Sequence, residues 1–243
     1  MIPIGDYAGE RRTFPFVTYA LIAINVLVFL YQVSLPERQL EVLVFRWATI
    51  PREITRGIDA DPTLPSNLPI YTTLLTAIFM HGSWLHLGGN MLSLWVFGDN
   101  VENAFGHVKY LVFYLICGVA ASLAQILVNV DSGIPTLGAS GAIAGVMGAY
   151  LVMFPGATIR TLLILGFFIT VAYLPALLVV GLWFVLQVFS GIGDLGVRTQ
   201  QTGGGVAYWA HIGGAVAGAL LVFLFRRRDY RSAGPRSYGG YGD

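Results

Sequence analysis

The chain has 243 residues, of which 56% are hydrophobic and only 11% charged, and its formal net charge is +1. A charged fraction so far below the roughly 25% of soluble domains excludes an ordinary water-soluble globule and puts the chain in a membrane. The near-neutral balance gives no reason to expect a nucleic-acid partner, and a single cysteine, Cys117, excludes an internal disulfide.

A helix that crosses a bilayer needs roughly 20 largely apolar residues. Six such segments can be set out, at 15–34, 83–103, 108–129, 138–154, 172–191 and 206–225. The expectation is an all-α membrane protein: a six-helix bundle over 15–226, a short cytoplasmic N-terminus at 1–14, and a disordered, basic and glycine-rich cytoplasmic tail at 227–243. Basic residues set the orientation. Arg11, Arg12, Lys109, Arg160 and the five arginines from Arg226 to Arg236 fall on one side of this scheme, and Arg38, Arg46, Arg52, Arg56 and Arg198 on the other. That excess puts both termini in the cytoplasm.

The first segment reads as a retained helix, because Phe14 to Val33 is long for a signal-peptide core and lacks a small-x-small site before Leu35. The longest connection follows, from about Leu35 to Ile70. Its apolar patch at Leu40–Ile50, with Trp47 and Tyr71, favours a piece lying in the membrane interface over a plain tether.

The second segment opens with Met80-His81-Gly82-Ser83-Trp84-Leu85-His86-Leu87-Gly88-Gly89-Asn90. At about 100° per residue, His81 and His86 stand about 140° apart on a helix, whereas His86 and Asn90 share a face. Two histidines on one helix bind zinc best at the four-residue spacing of H-E-x-x-H, so a metal site is disfavoured. His86 and Asn90 read as two donors aimed at one point, and His81 as a structural hydrogen-bonding group. Farther along, Asp99 and Glu102 read as a solvated helix end, with His107 on the surface. The third segment, with Ser122 and Gln125 as its interior polar groups, is assigned no chemistry.

The fourth segment begins Gly138-Ala139-Ser140-Gly141-Ala142-Ile143-Ala144-Gly145, without charge and with one hydroxyl. Glycines three or four apart let another helix backbone come close, which explains the glycines but not the serine. A serine at a helix N-terminus lies beside free backbone N–H groups that can stabilise a developing oxyanion. After Pro155-Gly156 the chain is uncharged from Thr161 to Ser190, so the fifth helix can begin earlier than Tyr173 or kink at Pro175. Trp183 and Gln187 share a face of it and read as interhelical packing, with a substrate path as the alternative. In the sixth segment His211, Gly214 and Gly218 lie at i, i+3 and i+7, one stripe of a helix. If that stripe meets Gly141, Gly145 and Gly148, Ser140 and His211 come together as a nucleophile and its base. The arginines after Phe225 are explained by topology, with lipid-headgroup binding as a further reading.

Taken in order, His81-x4-His86-x3-Asn90, Glu102-x3-Gly106, Gly138-Ala139-Ser140-Gly141 and Ala210-His211-x2-Gly214-x3-Gly218 resemble the rhomboid family of intramembrane serine proteases, in its minimal six-helix bacterial form with no seventh helix. The resemblance implies that Ser140 is the nucleophile and His211 its general base, a dyad without an orienting acid. It also implies an oxyanion site made by His86, Asn90 and the backbone N–H groups of Ala139 and Ser140, with Glu102 and Gly106 structural. Substrates would be transmembrane proteins cut at a small residue near the outer face of a bacterial plasma membrane, with no metal or organic cofactor. Where the family often carries a Tyr or Phe four residues after the serine, stacked on the histidine, this chain has Ala144, which leaves that place to Trp209 or another aromatic. The competing readings are an inactive relative that binds and escorts membrane proteins, and a six-helix transporter.

Overall fold

The computed structural model describes residues 1–8, 13–58, 69–196 and 205–227; the tail from residue 228 on, with Arg11, Arg12 and Arg198 of the charge argument, lies outside the described residues. In chain order the elements are β1 (Ile2–Tyr7), α1 (Phe16–Ser34), α2 (Glu37–Trp47), α3 (Pro51–Arg56), the single turn α4 (Thr73–Thr76) between two 3-10 turns, α5 (Trp84–Phe105), α6 (His107–Val128), α7 (Ser140–Met153), β2 (Thr158–Leu165), β3 (Phe168–Pro175), α8 (Ala176–Gly196) and α9 (Tyr208–Phe225). Among the described residues, four helices, α1, α6, α8 and α9, are long and apolar enough to cross a membrane.

Local chemistry sets the helix ends. Ser83 accepts the His86 backbone N–H at 3.1 Å and so caps the start of α5. Gly106, at φ +84°, breaks the chain between α5 and α6, a conformation that a side chain resists. Asp99 and Glu102, expected at a solvated helix end, are instead buried, Glu102 completely. Its carboxylate reaches back to the first turn of α1. It accepts the N–H groups of Val17 at 2.9 Å and Thr18 at 2.7 Å, together with the Thr18 hydroxyl at 2.7 Å. Those N–H groups have no acceptor within their own helix, and a negative charge at that end is favoured by the helix dipole. His107 lies 2.5 Å from the same carboxylate through Nδ1.

The all-α expectation needs correction. β2 and β3 pair antiparallel in full register from Thr158 opposite Pro175 to Leu165 opposite Phe168, and β1 pairs along the other edge of β2 from Ile2 to Tyr7. The uncharged run after Thr161 is therefore a hairpin first and a helix only from Ala176. Hydropathy alone cannot separate the two, but the β-branched and aromatic content of the run, with Gly166 at φ +61° in the turn, favours strands. Residues 2–7, read as part of a polar lead-in, form the third strand. Asp6 clamps it to the bundle by accepting from the Tyr150 hydroxyl at 2.6 Å and from Asn100 Nδ2 at 2.9 Å.

The described part of the connection from Leu35 to Ile70 is built rather than slack. α2 and α3 occupy its first half, and Thr49 exchanges two backbone hydrogen bonds, 2.9 and 2.8 Å, with Thr136 in the loop that leads into α7. Residues 59–68 of this connection lie outside the described residues. From the other side the Gly138 N–H donates to the Ala77 carbonyl at 2.9 Å. The start of α7 is thereby held from two directions, and α7 itself lies in the core, with Ala144, Val146, Ala149 and Tyr150 fully buried.

Candidate active site

The starts of α5, α7 and α9 lie at the same end of the bundle, opposite the end occupied by the sheet and Glu102. What brings α7 and α9 together is the absence of side chains. A Cβ on Gly214 would overlap the Gly141 carbonyl, and one on Gly218 would overlap the Gly145 carbonyl. Gly141 and Gly145 are in turn crowded by α6, where an added Cβ would stand 2.5 Å from those of Ala121 and Cys117 respectively. The two helices thus touch backbone to backbone, in a register that leaves no room for slip.

That register sets His211 Nε2 2.7 Å from Ser140 Oγ. On its other side His211 Nδ1 lies 2.7 Å from Gln187 Oε1 on α8. An amide oxygen only accepts, so the Nδ1 beside it carries the proton and Nε2 presents its lone pair to the serine hydroxyl. The Trp183 ring, one turn before Gln187, packs on the imidazole with centroids 5.7 Å apart and planes tilted by 36°. The aromatic that substitutes for the one absent at Ala144 is therefore Trp183, and not Trp209, which packs beside Gly191.

His86, Asn90, Ser140 and His211 all line one cavity of about 780 Å³. That volume is within the range of roughly 300–1,000 Å³ usual for ligand sites. The His86 ring lies over Gly138, where a Cβ would approach Cε1 and Nε2 to 2.8 Å, and Gly138 itself is at φ +134°. Asn90 Nδ2 is 2.9 Å from His81 Nε2. His81, buried just ahead of α5, presents its Nε2 lone pair to one N–H of Asn90, whose amide keeps a second for the cavity. Gln32 of α1 fixes His81 in place, accepting its backbone N–H at 3.0 Å and donating to its carbonyl at 3.2 Å. Ala139, fully buried, precedes α7, and no side chain caps that helix. The first-turn N–H groups beside Ser140 are accordingly left without an intrahelical acceptor.

Of the residues singled out by sequence, Ser140, His211, His86 and Asn90 meet at the cavity, with Ala139, Gly138 and His81 directly behind it. Gly141, Gly145, Gly214 and Gly218 form the seam that holds it, and Glu102 and Gly106 stand at the far end. Gln187 and Trp183 carried the signal of a shared helix face. Sequence spacing could not tell which helix that face met. Gln125, set aside at first, accepts the Ala210 N–H at 3.3 Å and so braces the first turn of α9 from α6.

A hydroxyl hydrogen-bonded to an oriented imidazole, beside amide and imidazole donors and unpaired backbone N–H groups, is the apparatus of nucleophilic attack on a carbonyl. The Rhomboid domain family model matches residues 70–228. The chain is 31% identical over 166 residues to "Rhomboid-like protein 11, chloroplastic" of Arabidopsis thaliana, covering 66% of this chain and 55% of the relative. It is 35% identical over 138 residues to "Rhomboid protease GluP" of Bacillus subtilis (strain 168), covering 56% and 24%. With the human "Presenilin-associated rhomboid-like protein, mitochondrial" it shares 24% identity over 241 residues, covering 90% and 54%. The chain spans about half the length of these relatives, and a quarter in the case of the Bacillus subtilis protein.

Proposed function

This chain belongs to the rhomboid family, and on that premise we propose that it is an intramembrane serine endopeptidase that cuts transmembrane segments of other membrane proteins near the outer face. The observation that carries the reading is the 2.7 Å contact between Ser140 Oγ and His211 Nε2. An inactive escort protein has no use for such a contact, and a transporter has none for polar groups gathered at one end of the bundle.

In the proposed mechanism the cavity admits water and one unwound stretch of substrate. His211 takes the Ser140 proton at Nε2 as Oγ attacks the scissile carbonyl. Negative charge on the carbonyl oxygen is met by the backbone N–H groups at Ala139 and Ser140, the Asn90 amide and His86, worth about 2.7–4 kcal/mol for each donor. The imidazolium then returns its proton to the departing amine. An acyl-enzyme on Ser140 remains, and water activated by the same imidazole hydrolyses it. A transmembrane helix hides its own carbonyls in hydrogen bonds, so helix-weakening residues near the cut favour cleavage.

The proposed topology has α1, α5, α6, α7, α8 and α9 crossing the membrane, with both termini cytoplasmic. At about 1.5 Å per residue the 14 residues of α7 span only about 21 Å, short of a hydrocarbon core of about 30 Å. With its C-terminal end at the sheet on the proposed cytoplasmic side, that deficit supports a Ser140 set below the outer surface, in the cavity it shares with His211. The proposed location is a bacterial plasma membrane, in keeping with the Bacillus subtilis relative, whereas the Arabidopsis thaliana and human relatives are named as chloroplastic and mitochondrial.

The test is proteolysis in lipid. Purified protein reconstituted with a single-pass substrate is expected to cut it close to the outer end of the spanning segment, after a small residue. Substrate left whole by folded protein, or cleavage that survives Ser140→Ala, would contradict the proposal.

A further inference from the structure

We infer that Gln187 is a positioning residue for His211, holding the imidazole in the tautomer that can take the Ser140 proton and so completing a neutral serine–histidine–glutamine relay; the inference rests on the protease reading above. The geometry is direct. Gln187 Oε1 and Ser140 Oγ lie on opposite nitrogens of one ring, each at 2.7 Å. Gln187 stands behind the imidazole and is not part of the cavity wall, so it acts through His211 and not on the substrate. Trp183, four residues earlier on the same face of α8, closes the side of the ring, so a single helix supplies both restraints on it.

An amide suits this place better than a carboxylate. A charged orienting group would have to be stripped of water within an apolar helix, which is costly unless the charge is fully paired. An amide oxygen fixes the tautomer without that charge. It gives up stabilisation of the imidazolium.

The surroundings leave the assignment open to a clean test. Among the described residues, His86 on α5 is the other titratable side chain on the cavity wall beside His211. From α6 the neutral Gln125 meets α9 at Ala210, and α8 carries Asp194 two turns beyond Gln187. The chain has four histidines, so ¹⁵N-histidine spectra in lipid nanodiscs can be assigned residue by residue.

Gln187→Met keeps the length of the side chain and removes the acceptor, and Gln187→Glu keeps an acceptor and adds charge. For wild-type protein the Nδ1–H tautomer of His211 is expected. In Gln187→Met that preference is lost, and kcat falls between about tenfold and the roughly 10⁴-fold that a wrong tautomer costs in a Ser-His-Asp enzyme, with KM little changed. Gln187→Glu restores activity at high pH, and the acid limb of its pH–rate profile moves to higher pH. Unchanged tautomer and kcat in Gln187→Met would overturn the inference, as would a Gln187→Glu profile that coincides with wild type. Wild-type protein that cuts no substrate would end the protease reading, while the tautomer measured in Gln187→Met would still decide the role of Gln187.

Discussion

Gly218 of α9 and Gly145 of α7 meet with nothing between their backbones: a Cβ on Gly218 would overlap the Gly145 carbonyl. The same pairing recurs one turn earlier between Gly214 and Gly141. Four glycines thus hold two helices at the spacing where a serine on one reaches a histidine on the other. Ser140 and His211 are 71 residues apart in sequence, and their contact depends on this seam.

The seam makes a prediction that composition alone does not. Gly218→Ala or Gly214→Ala forces the helices apart, and overpacking of this kind typically costs about 1–3 kcal/mol. Both variants are expected to melt earlier and to lose most of their activity. Gly181→Ala on α8, where a Cβ meets only the Leu177 side chain at 3.9 Å, is expected to leave both unchanged. Thermal unfolding in detergent, read beside the proteolysis rate, checks the contrast.

Glu102 makes the opposite case, a polar group far from the cavity whose loss should fall on stability. Glu102→Ala strands the Val17 and Thr18 N–H groups in a buried setting. Each buried donor left unpaired costs about 1–3 kcal/mol. A clear drop in melting temperature is expected, with near-normal turnover in whatever fraction remains folded. Normalising activity to folded protein separates the two effects.

Trp183 is expected to matter through its ring. Trp183→Ala removes the surface on which His211 packs and should lower kcat, whereas Trp183→Phe keeps a ring and should retain most of it. Comparing kcat and KM for the pair tells ring support from substrate contact, because a substrate contact would show in KM.

At the proposed oxyanion site, His86→Ala and Asn90→Ala are each expected to lower kcat by roughly 10²–10³-fold. His81→Ala acts one step back, by freeing the Asn90 amide to rotate, and should cost less than Asn90→Ala. Adding His81→Ala to Asn90→Ala should then cost little more, a non-additivity that a double-mutant cycle measures.

Much of this was legible in the residues. Apolar runs gave the long helices to within a few positions, because about 20 residues without charge have few other uses. The glycine stripe through His211 and the one after Ser140 pointed at each other. The hairpin from Thr158 to Pro175 was hidden, because the run after Arg160 is uncharged on all sides and its hydropathy has no periodicity to separate strand from helix. The burial of Glu102 was hidden for a different reason: its partners, Val17 and Thr18, lie over 80 residues away. Gln187 and Trp183 were visible as a helix face, but a face has meaning only once its neighbour is known, and only the fold put His211 against it.

The central claim is that Ser140 is made nucleophilic by His211, and covalent labelling tests it most directly. Protein in lipid is treated with a fluorophosphonate, digested and mapped by mass spectrometry. A single adduct on the Ser140 peptide is expected in wild-type protein, abolished by Ser140→Ala and strongly slowed by His211→Ala. An adduct on any other residue, or labelling of Ser140 that is as fast in His211→Ala as in wild type, would contradict the account.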